Sequence, residues 1–263
     1  LLPKDCFAST GYIKKFHSDI TINSDGTINI AEYIDYDFGT SGEERHGISR
    51  EIPYIKINED EKRYKLDIKI NEITNQNGNK IKYTNAKEDD KLKIKIGDPN
   101  VLISGEKSYV IKYSISGAIT YFTDRDELYW NLSGNHWDVP INEFEAEIKL
   151  PNGANQNNTR FVCYEGYYGS TTQNCSIFFS NGKVVVKSNK TLSPGEGITA
   201  VVSISKGLIA EIEPVEDKIG WLWVLAEIVV YGALSIWYIF LPVKKIVDYL
   251  KDKSFTKKNA RIV

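Results

Sequence analysis

The side chains best suited to chemistry are concentrated between residues 123 and 141, in the stretch TDRDELYWNLSGNHWDVPI. Aromatic rings stand there beside carboxylates and an imidazole, and Arg50 lies in a second unusual stretch, GISREIP, nearer the N-terminus. Aromatic faces next to carboxylates suit polar ligands with apolar faces, such as a carbohydrate or a peptide. The candidate ligand-binding or interface residues are Arg50, Asp126, Glu127, Tyr129, Trp130, His136 and Trp137.

The same stretch also fits a structural corner between sheets, which is the interpretation that we favour. The adjacent Tyr-Trp pair faces opposite sides of a strand, so one of the two rings enters the core. In such a corner the Trp residues fill the core, while Asp126 or Asp138 caps turn N–H groups and pairs with Arg125 or Arg50.

Catalytic patterns receive little support. Asp126 and Glu127 could serve as glycosidase carboxylates, but neighbours in a strand point apart. Ser133 is not part of a G-x-S-x-G elbow, and the three His form no H-E-x-x-H pair. Neither a phosphate-binding loop nor a Rossmann fingerprint is present. We expect no catalytic residues, cofactor or metal, and keep as the alternative a carbohydrate-active or other hydrolytic enzyme that uses Asp126, Glu127 and His136.

The cysteines predict an oxidising compartment. Cys163 and Cys175 flank a segment rich in Gly, Tyr and Thr. Their spacing suits two strands joined by a loop, and a disulfide there would stabilise the fold by about 2–3 kcal/mol. Free thiols are the alternative, and a metal is disfavoured because the segment has no His. Cys6 is left over. Because the chain contains no Met, residue 1 is not a translation start, and Leu1-Leu2 fits the end of a removed signal peptide.

Residues 219–243 form an apolar run, IGWLWVLAEIVVYGALSIWYIFLPV, with Glu227 as its one charge. A helix of this length crosses the ~30 Å hydrocarbon core of a bilayer, and Trp residues near both ends resemble an aromatic belt. The run therefore predicts one transmembrane helix in a lipid bilayer. A carboxylate inside the membrane is either a tolerated polar residue or a helix contact in a homo-oligomer.

Charges predict the orientation of this helix. Residues 244–263 are net basic, and since the whole chain has a net charge of −2, residues 1–218 are net acidic. Lys and Arg are enriched on the cytoplasmic side of a membrane. We expect the tail in the cytoplasm and the N-terminal part outside. The isoelectric point near 6.0 argues against a nucleic-acid partner.

Residues before the apolar run alternate with period two and are rich in Ile, Val, Thr and Tyr, as in β-strands. Asp25-Gly26 predicts a first hairpin, Ser18–Asn23 with Thr27–Phe38, and a second is predicted from Tyr64–Thr74 and Lys80–Asn85. The fold class is mostly β: an antiparallel β-sandwich ectodomain followed by one transmembrane helix. The predicted segments are an N-terminal segment (1–11), two stacked sandwiches (12–122 and 123–213), the helix (219–243) and a basic tail (244–263).

The chain resembles DUF2207, a bacterial family of predicted membrane proteins of unknown function. The resemblance rests on Asp25-Gly26, Gly47–Pro53, Asp126–Ile141, the Cys pair and Pro194–Thr199. It implies an exported N-terminal domain anchored in the cytoplasmic membrane and no established reaction. Members usually continue into a cytoplasmic part and further spans, so we expect this chain to be truncated or minimal. The function expected is an interaction or structural module of the cell envelope, with an envelope protein or glycan as partner; a sensor or assembly subunit acting through the helix is a further alternative.

Overall fold

The computed structural model describes residues 11–39, 45–58, 61–217 and 219–259. Residues 1–10, with Cys6 and most of the predicted N-terminal segment, and residues 260–263 of the predicted tail lie outside that range. In chain order the strands are β1 (Tyr12–Ile22), β2 (Ile28–Asp37), β3 (Gly47–Pro53), β4 (Ile55–Ile57), β5 (Arg63–Lys65), β6 (Asp67–Thr74), β7 (Tyr83–Glu88), β8 (Lys91–Gly97), β9 (Glu106–Ser116), β10 (Ile119–Tyr121), β11 (Arg125–Asn131), β12 (Ile141–Lys149), β13 (Thr159–Gly166), β14 (Ser176–Ser180), β15 (Lys183–Lys187), β16 (Gly197–Ser205) and β17 (Val215–Glu216).

The largest sheet has seven strands in the order β14-β15-β12-β1-β2-β9-β6. Its neighbouring strands are antiparallel except β1 and β12, which run parallel. The predicted hairpin at Asp25-Gly26 is confirmed: β1 pairs with β2, and the Asp25 carboxylate accepts hydrogen bonds from Thr27 N (2.9 Å) and its hydroxyl (2.6 Å). Gly26 takes a φ of +84°, which a side chain would strain.

Three smaller sheets complete the β-domain: β10-β11-β16-β13, β3-β8-β7 and β17-β5-β4. The second predicted hairpin forms only at its turn, where Asn75 N donates to Asn79 O (2.9 Å) and Ile81 N to Ile73 O (3.1 Å), and its predicted arms are otherwise not paired with each other. Strand β6 joins the large sheet, whereas β7 pairs with β8 across a turn in which Asp89 and Asp90 have positive φ. An isolated antiparallel bridge between Thr74 and Lys80 links the two predicted hairpin arms. Asp tolerates the left-handed region of backbone conformation better than most residues, so this turn forms without a glycine.

One compact unit extends to Glu216, so the chain does not divide at the boundary predicted between residues 122 and 123. Strands from both sides of that boundary share the large sheet, since β12, β14 and β15 continue it beyond β1. Inward residues of the sheets form a continuous apolar cluster that includes Phe16, Ile94, Val202 and Val186. The parallel contact between β1 and β12 is what joins the two predicted sandwiches, and parallel partners far apart in sequence leave no local turn signal.

The second unit is helical. It consists of α1 (Ile219–Ser235), a single π-helical stretch (Ile236–Phe240) and α2 (Leu241–Asn259). The helix over Leu225–Lys251, of 27 residues, is long and apolar enough to cross a membrane, since an 18-residue window within it has a mean hydropathy of 1.7. The sequence prediction of a mostly β chain followed by one apolar helix is thus confirmed. Helical structure continues past the predicted end at Val243 into the basic tail.

Candidate functional site

Strand β11 and the turn after it carry most of the predicted site residues. Alternation along β11 buries Asp126, Leu128 and Trp130 and turns Glu127 and Tyr129 away from the core. Since the two carboxylates lie on opposite faces of one strand, they do not form a catalytic pair. Strand geometry therefore divides this motif into a core half and a surface half.

A buried guanidinium organises the core half. Arg50, 2% exposed, donates to Glu32 through Nε (2.8 Å) and Nη2 (2.6 Å), and Glu32 is fully buried. The Tyr113 hydroxyl donates to the same carboxylate at 2.7 Å. Burial disfavours the charged guanidinium, but the carboxylate outweighs it and the pKa of Arg50 is raised; burial also raises the pKa of Tyr113. We call these three residues the Arg50 node.

The expected pairing of Arg50 with Asp126 or Asp138 is therefore wrong, and the sequence analysis missed Glu32 as the partner. Asp138 lies 3.2 Å from Arg45, and Asp126 accepts a hydrogen bond from Lys206 at 2.8 Å. A signal for Glu32 exists in β2: it stands at an inward position between Ile30 and Ile34, where the alternation calls for an apolar residue. A carboxylate at such a position needs a buried cationic partner.

The turn after β11 packs directly onto the Arg50 node. A Cβ placed on Gly134, whose φ is +80°, would lie 2.3 Å from Arg50 Nη1. Trp137 Nε1 donates to Ser133 O at 2.8 Å, and the Ser133 hydroxyl accepts from Ile198 N at 2.9 Å. The two unusual sequence elements thus meet in the core, which supports the structural-corner interpretation for Arg50, Trp137 and the turn.

Tyr129 lies instead in a cleft of about 410 Å³ that the surface half of β11 forms with β4 and the segment after β13. We call it the tyrosine cleft. In register across the sheet, Thr199 of β16 stands between Asn131 of β11 and Tyr164 of β13. Of the residues that line the cleft, Tyr129 and Trp130 were predicted from the sequence. The lining residues Lys56, Tyr164, Tyr167 and Tyr168 were not.

Three of the cleft tyrosines are exposed: Tyr129 at 57%, Tyr167 at 63% and Tyr168 at 92%. Burial raises the pKa of Tyr129, and the neighbouring phenols of Tyr164 and Tyr168 raise it further. All four rings line the same cleft, and we call them the tyrosine cluster. Repeated aromatic residues directly after Cys163, in YEGYYG, were the sequence signal for it.

The tyrosine loop, residues 166–174, is held by covalent and polar contacts. The predicted disulfide between Cys163 and Cys175 is present. The Ser170 hydroxyl donates to Glu165 O at 2.9 Å, and Glu165 N donates to Thr172 O at 2.8 Å. Asn135 Nδ2 donates to Gly166 O at 3.1 Å, which ties the loop to the turn after β11. The exposed rings thus stand on a fixed backbone.

Two charged groups lie beside the cluster. Burial lowers the pKa of Lys56 to about 8, and its Nζ donates to Ala118 O (3.0 Å) and the Thr120 hydroxyl (2.6 Å). Glu165 is 3% exposed, and its carboxylate has no hydrogen-bond partner among the described residues. Lys190 Nζ lies 3.8 Å from it. Burial raises the pKa of Glu165.

His136 lies in a different groove, of about 550 Å³, together with Trp137, Arg45 and Lys93. Its Nδ1 is 3.7 Å from Glu51, and burial lowers its pKa, as does Lys91. The predicted residues are therefore not brought together in one place. Within residues 11–39, 45–58, 61–217 and 219–259, no group of three His, Cys, Asp or Glu residues is placed to hold a metal ion.

Glu127, the remaining predicted residue, is held at the surface of the four-stranded sheet. It accepts hydrogen bonds from the Ser203 hydroxyl (2.7 Å) and Arg125 Nε (3.3 Å). Its carboxylate is thus committed to neighbours within the sheet. Asp126, Glu127 and His136, the residues of the hydrolase alternative, accordingly occupy three separate environments.

Comparison with known proteins places these features in context. The uncharacterized protein YciQ of Escherichia coli K12 is 26% identical over 166 residues, which are 63% of this chain and 26% of that protein. The chain thus spans about a quarter of the length of this curated relative. Yeast LTA4 hydrolase in complex with Bestatin is similar in structure, with a TM-score of 0.47 and 9% identity over 73% of this chain and 28% of the hydrolase.

A putative protease from Parabacteroides distasonis has a TM-score of 0.40 and 18% identity, over 76% of this chain and 41% of the protease. The family model described as the N-terminal domain of a predicted membrane protein, DUF2207, matches residues 12–204. That match covers both the Arg50 node and the tyrosine cleft. The chain therefore belongs to DUF2207, a family of predicted membrane proteins.

Proposed function

We propose that this chain is an interaction module of the cell envelope, held by its helix in the cytoplasmic membrane with the β-domain outside and the basic tail in the cytoplasm. The observation that carries the proposal is the Cys163–Cys175 disulfide. Structural disulfides form and persist in oxidising compartments and are rare in the cytosol. The basic residues that follow the apolar helix favour the same orientation.

Action by binding, not catalysis, is part of the proposal. Asp126 is buried against Lys206, and Glu127 is bonded to Ser203 and Arg125, so neither carboxylate is placed to transfer a proton to a shared ligand. The tyrosine cleft, in contrast, presents exposed rings on a fixed loop. Aromatic surfaces of this kind are typical of interfaces and binding sites.

Protease protection of the full chain tests the orientation. Tags at the two ends are followed in spheroplasts and in inverted vesicles. We expect external protease to remove the β-domain in spheroplasts and to spare the tail. The paired change Lys244→Glu, Lys245→Glu is expected to increase the reversed orientation, because it removes the positive charge nearest the helix. Protection of the β-domain in spheroplasts would overturn the proposal.

Thiol alkylation supplies an independent readout of the compartment. In a Cys6→Ser background, Cys163 and Cys175 are the cysteines left in the chain. Protein trapped with a bulky maleimide directly from cells is expected to gain mass only after reduction. Alkylation of both thiols without reductant would show a reducing location and contradict the extracytoplasmic placement.

A further inference from the structure

The tyrosine cleft combines features that a purely structural surface does not need. Single exposed apolar residues are ordinary, but clustered ones mark binding sites. Here Tyr167 and Tyr168 stand at 63% and 92% exposure, next to Tyr129 at 57%. All three line the same concave surface, with Tyr164 between β11 and the loop. The arrangement leaves several ring faces open to a ligand.

Hydroxyl groups accompany these faces. No hydrogen bond is made by the phenol groups of Tyr129, Tyr164, Tyr167 and Tyr168 within the part of the chain that the structure describes, and the Thr199 side chain is equally unengaged. Each hydroxyl can both donate and accept a hydrogen bond. A ligand that fits must therefore offer apolar faces to the rings and many hydroxyl groups around them.

The floor of the cleft argues against an extended peptide. It is the face of a sheet in which β11 is paired on both sides, with β10 and β16. Peptides that add to a sheet need free backbone N–H and C=O groups at an edge, and β11 and β16 have used theirs in the ladder. Recognition on this floor must come from side chains, which is the mode suited to sugar rings. Strands β4 and β13 also line the cleft and lie at the edges of their sheets, so a peptide added at one of these edges is the competing occupant.

The loop is also organised before any ligand arrives. Its ends are joined by the disulfide, Ser170 closes it internally, and Tyr167 packs against Gly195, where a Cβ would lie 3.4 Å from the ring. A binding surface that is already ordered loses less conformational entropy on association. A cleft of about 410 Å³ is within the usual range for ligand sites.

From this geometry we infer that the tyrosine cleft is a saccharide-binding site, in which pyranose rings stack on Tyr129, Tyr167 and Tyr168. The inference deepens the proposed function and rests on it, because it identifies the envelope component as a glycan. The disulfide acts as the positioning element of the site, since it fixes the loop that carries two of the three stacking rings.

Binding is tested with the full chain in detergent or nanodiscs, by calorimetry against chitohexaose, cellohexaose, maltohexaose and peptidoglycan glycan strands. We expect at least one saccharide to bind and Tyr168→Ala to weaken it on the order of tenfold, the loss of one stacking contact. Tyr168→Phe keeps the ring face and should retain most of the affinity. Tyr83→Ala is the matched control, since Tyr83 is exposed at 40% on β7, away from the cleft.

Reduction of the disulfide supplies a second perturbation, because it releases the loop without changing a ring. We expect dithiothreitol to weaken binding by the wild type, and to weaken binding by the Tyr168→Ala variant to a smaller extent, because only Tyr167 is then left on the loop. Failure of all four saccharides to bind, or binding that Tyr168→Ala and reduction leave unchanged, would overturn the inference. The binding measurement does not depend on the orientation of the chain in the membrane. If binding fails but the β-domain is accessible to protease in spheroplasts, the saccharide site alone is rejected and the proposed orientation stands.

Discussion

Replacement of Arg50 by Met removes the cation of the Arg50 node while keeping a long side chain in the core. Glu32 would then stay fully buried, and the Tyr113 hydroxyl would be its remaining side-chain hydrogen-bond donor among the described residues. The carboxylate would lose two charge-assisted hydrogen bonds, at 2.8 and 2.6 Å. It must then be protonated or remain as an uncompensated buried charge, and either outcome destabilises the native state.

The size of the effect follows from that geometry. Removing one partner of a buried ion pair costs about 3–5 kcal/mol. Two charge-assisted hydrogen bonds at about 1.5–3 kcal/mol each give about 3–6 kcal/mol, which overlaps that range. For a domain of roughly 200 residues, a loss of this size lowers the melting temperature by about 6–20 °C.

Thermal unfolding of the full chain in detergent, followed by the circular dichroism of its β-structure, measures this change. Lys112→Met is the matched control, because its ion pair with Glu72 is 46% and 40% exposed and is therefore screened by solvent. The double variant Glu32→Gln, Arg50→Met should recover part of the loss. If Arg50→Met costs no more than Lys112→Met, the node does not hold the core and the reasoning is refuted.

Three other changes have defined outcomes. Gly134→Ala should destabilise the protein more than Gly78→Ala. Both glycines have φ near +80°, but only a Cβ on residue 134 would meet Arg50. Equal denaturation midpoints of the two variants would contradict the contact. Glu165→Gln should raise stability at neutral pH, because the raised pKa means that the ionised carboxylate is less favourable in the folded protein than in the unfolded chain. The gain should vanish as the pH falls towards 4.5, where the carboxyl becomes protonated. A difference in urea titrations that does not change with pH would reject this. Glu227→Leu should reduce cross-linked oligomers in membranes, because it removes the polar group available to a neighbouring helix; an unchanged pattern would refute that contact.

Local signals in the sequence predict local structure well. Asp25-Gly26 marks the β1–β2 turn because its backbone needs a positive φ, and the apolar run marks the helix because of its length. Cys163 and Cys175 are joined because they lie on either side of one loop. Each of these features is determined by residues close together in the chain, so composition and spacing are sufficient.

Features that depend on distant partners were not predictable in the same way. The pairing of β1 with β12 needs a crossover that no turn residue announces. Glu32 and Arg50 belong to different sheets, and several carboxylates were equally plausible partners for the guanidinium. The tyrosine cleft likewise forms only when β4, β11 and the loop after β13 come together. Side-chain chemistry was visible in advance, but its grouping was not.

The position of β1 also has a consequence for the order of assembly. Strand β1, the first among the described residues, lies inside the seven-stranded sheet, with one edge against β2 and the other against β12. During synthesis that second edge must wait for residues 141–149, and an open edge invites pairing with other chains. Long-range contacts of this kind slow folding. A nascent chain of this protein therefore carries an unprotected edge from the completion of β1 at Ile22 until β12 has been made, a period in which a holding chaperone would have most effect.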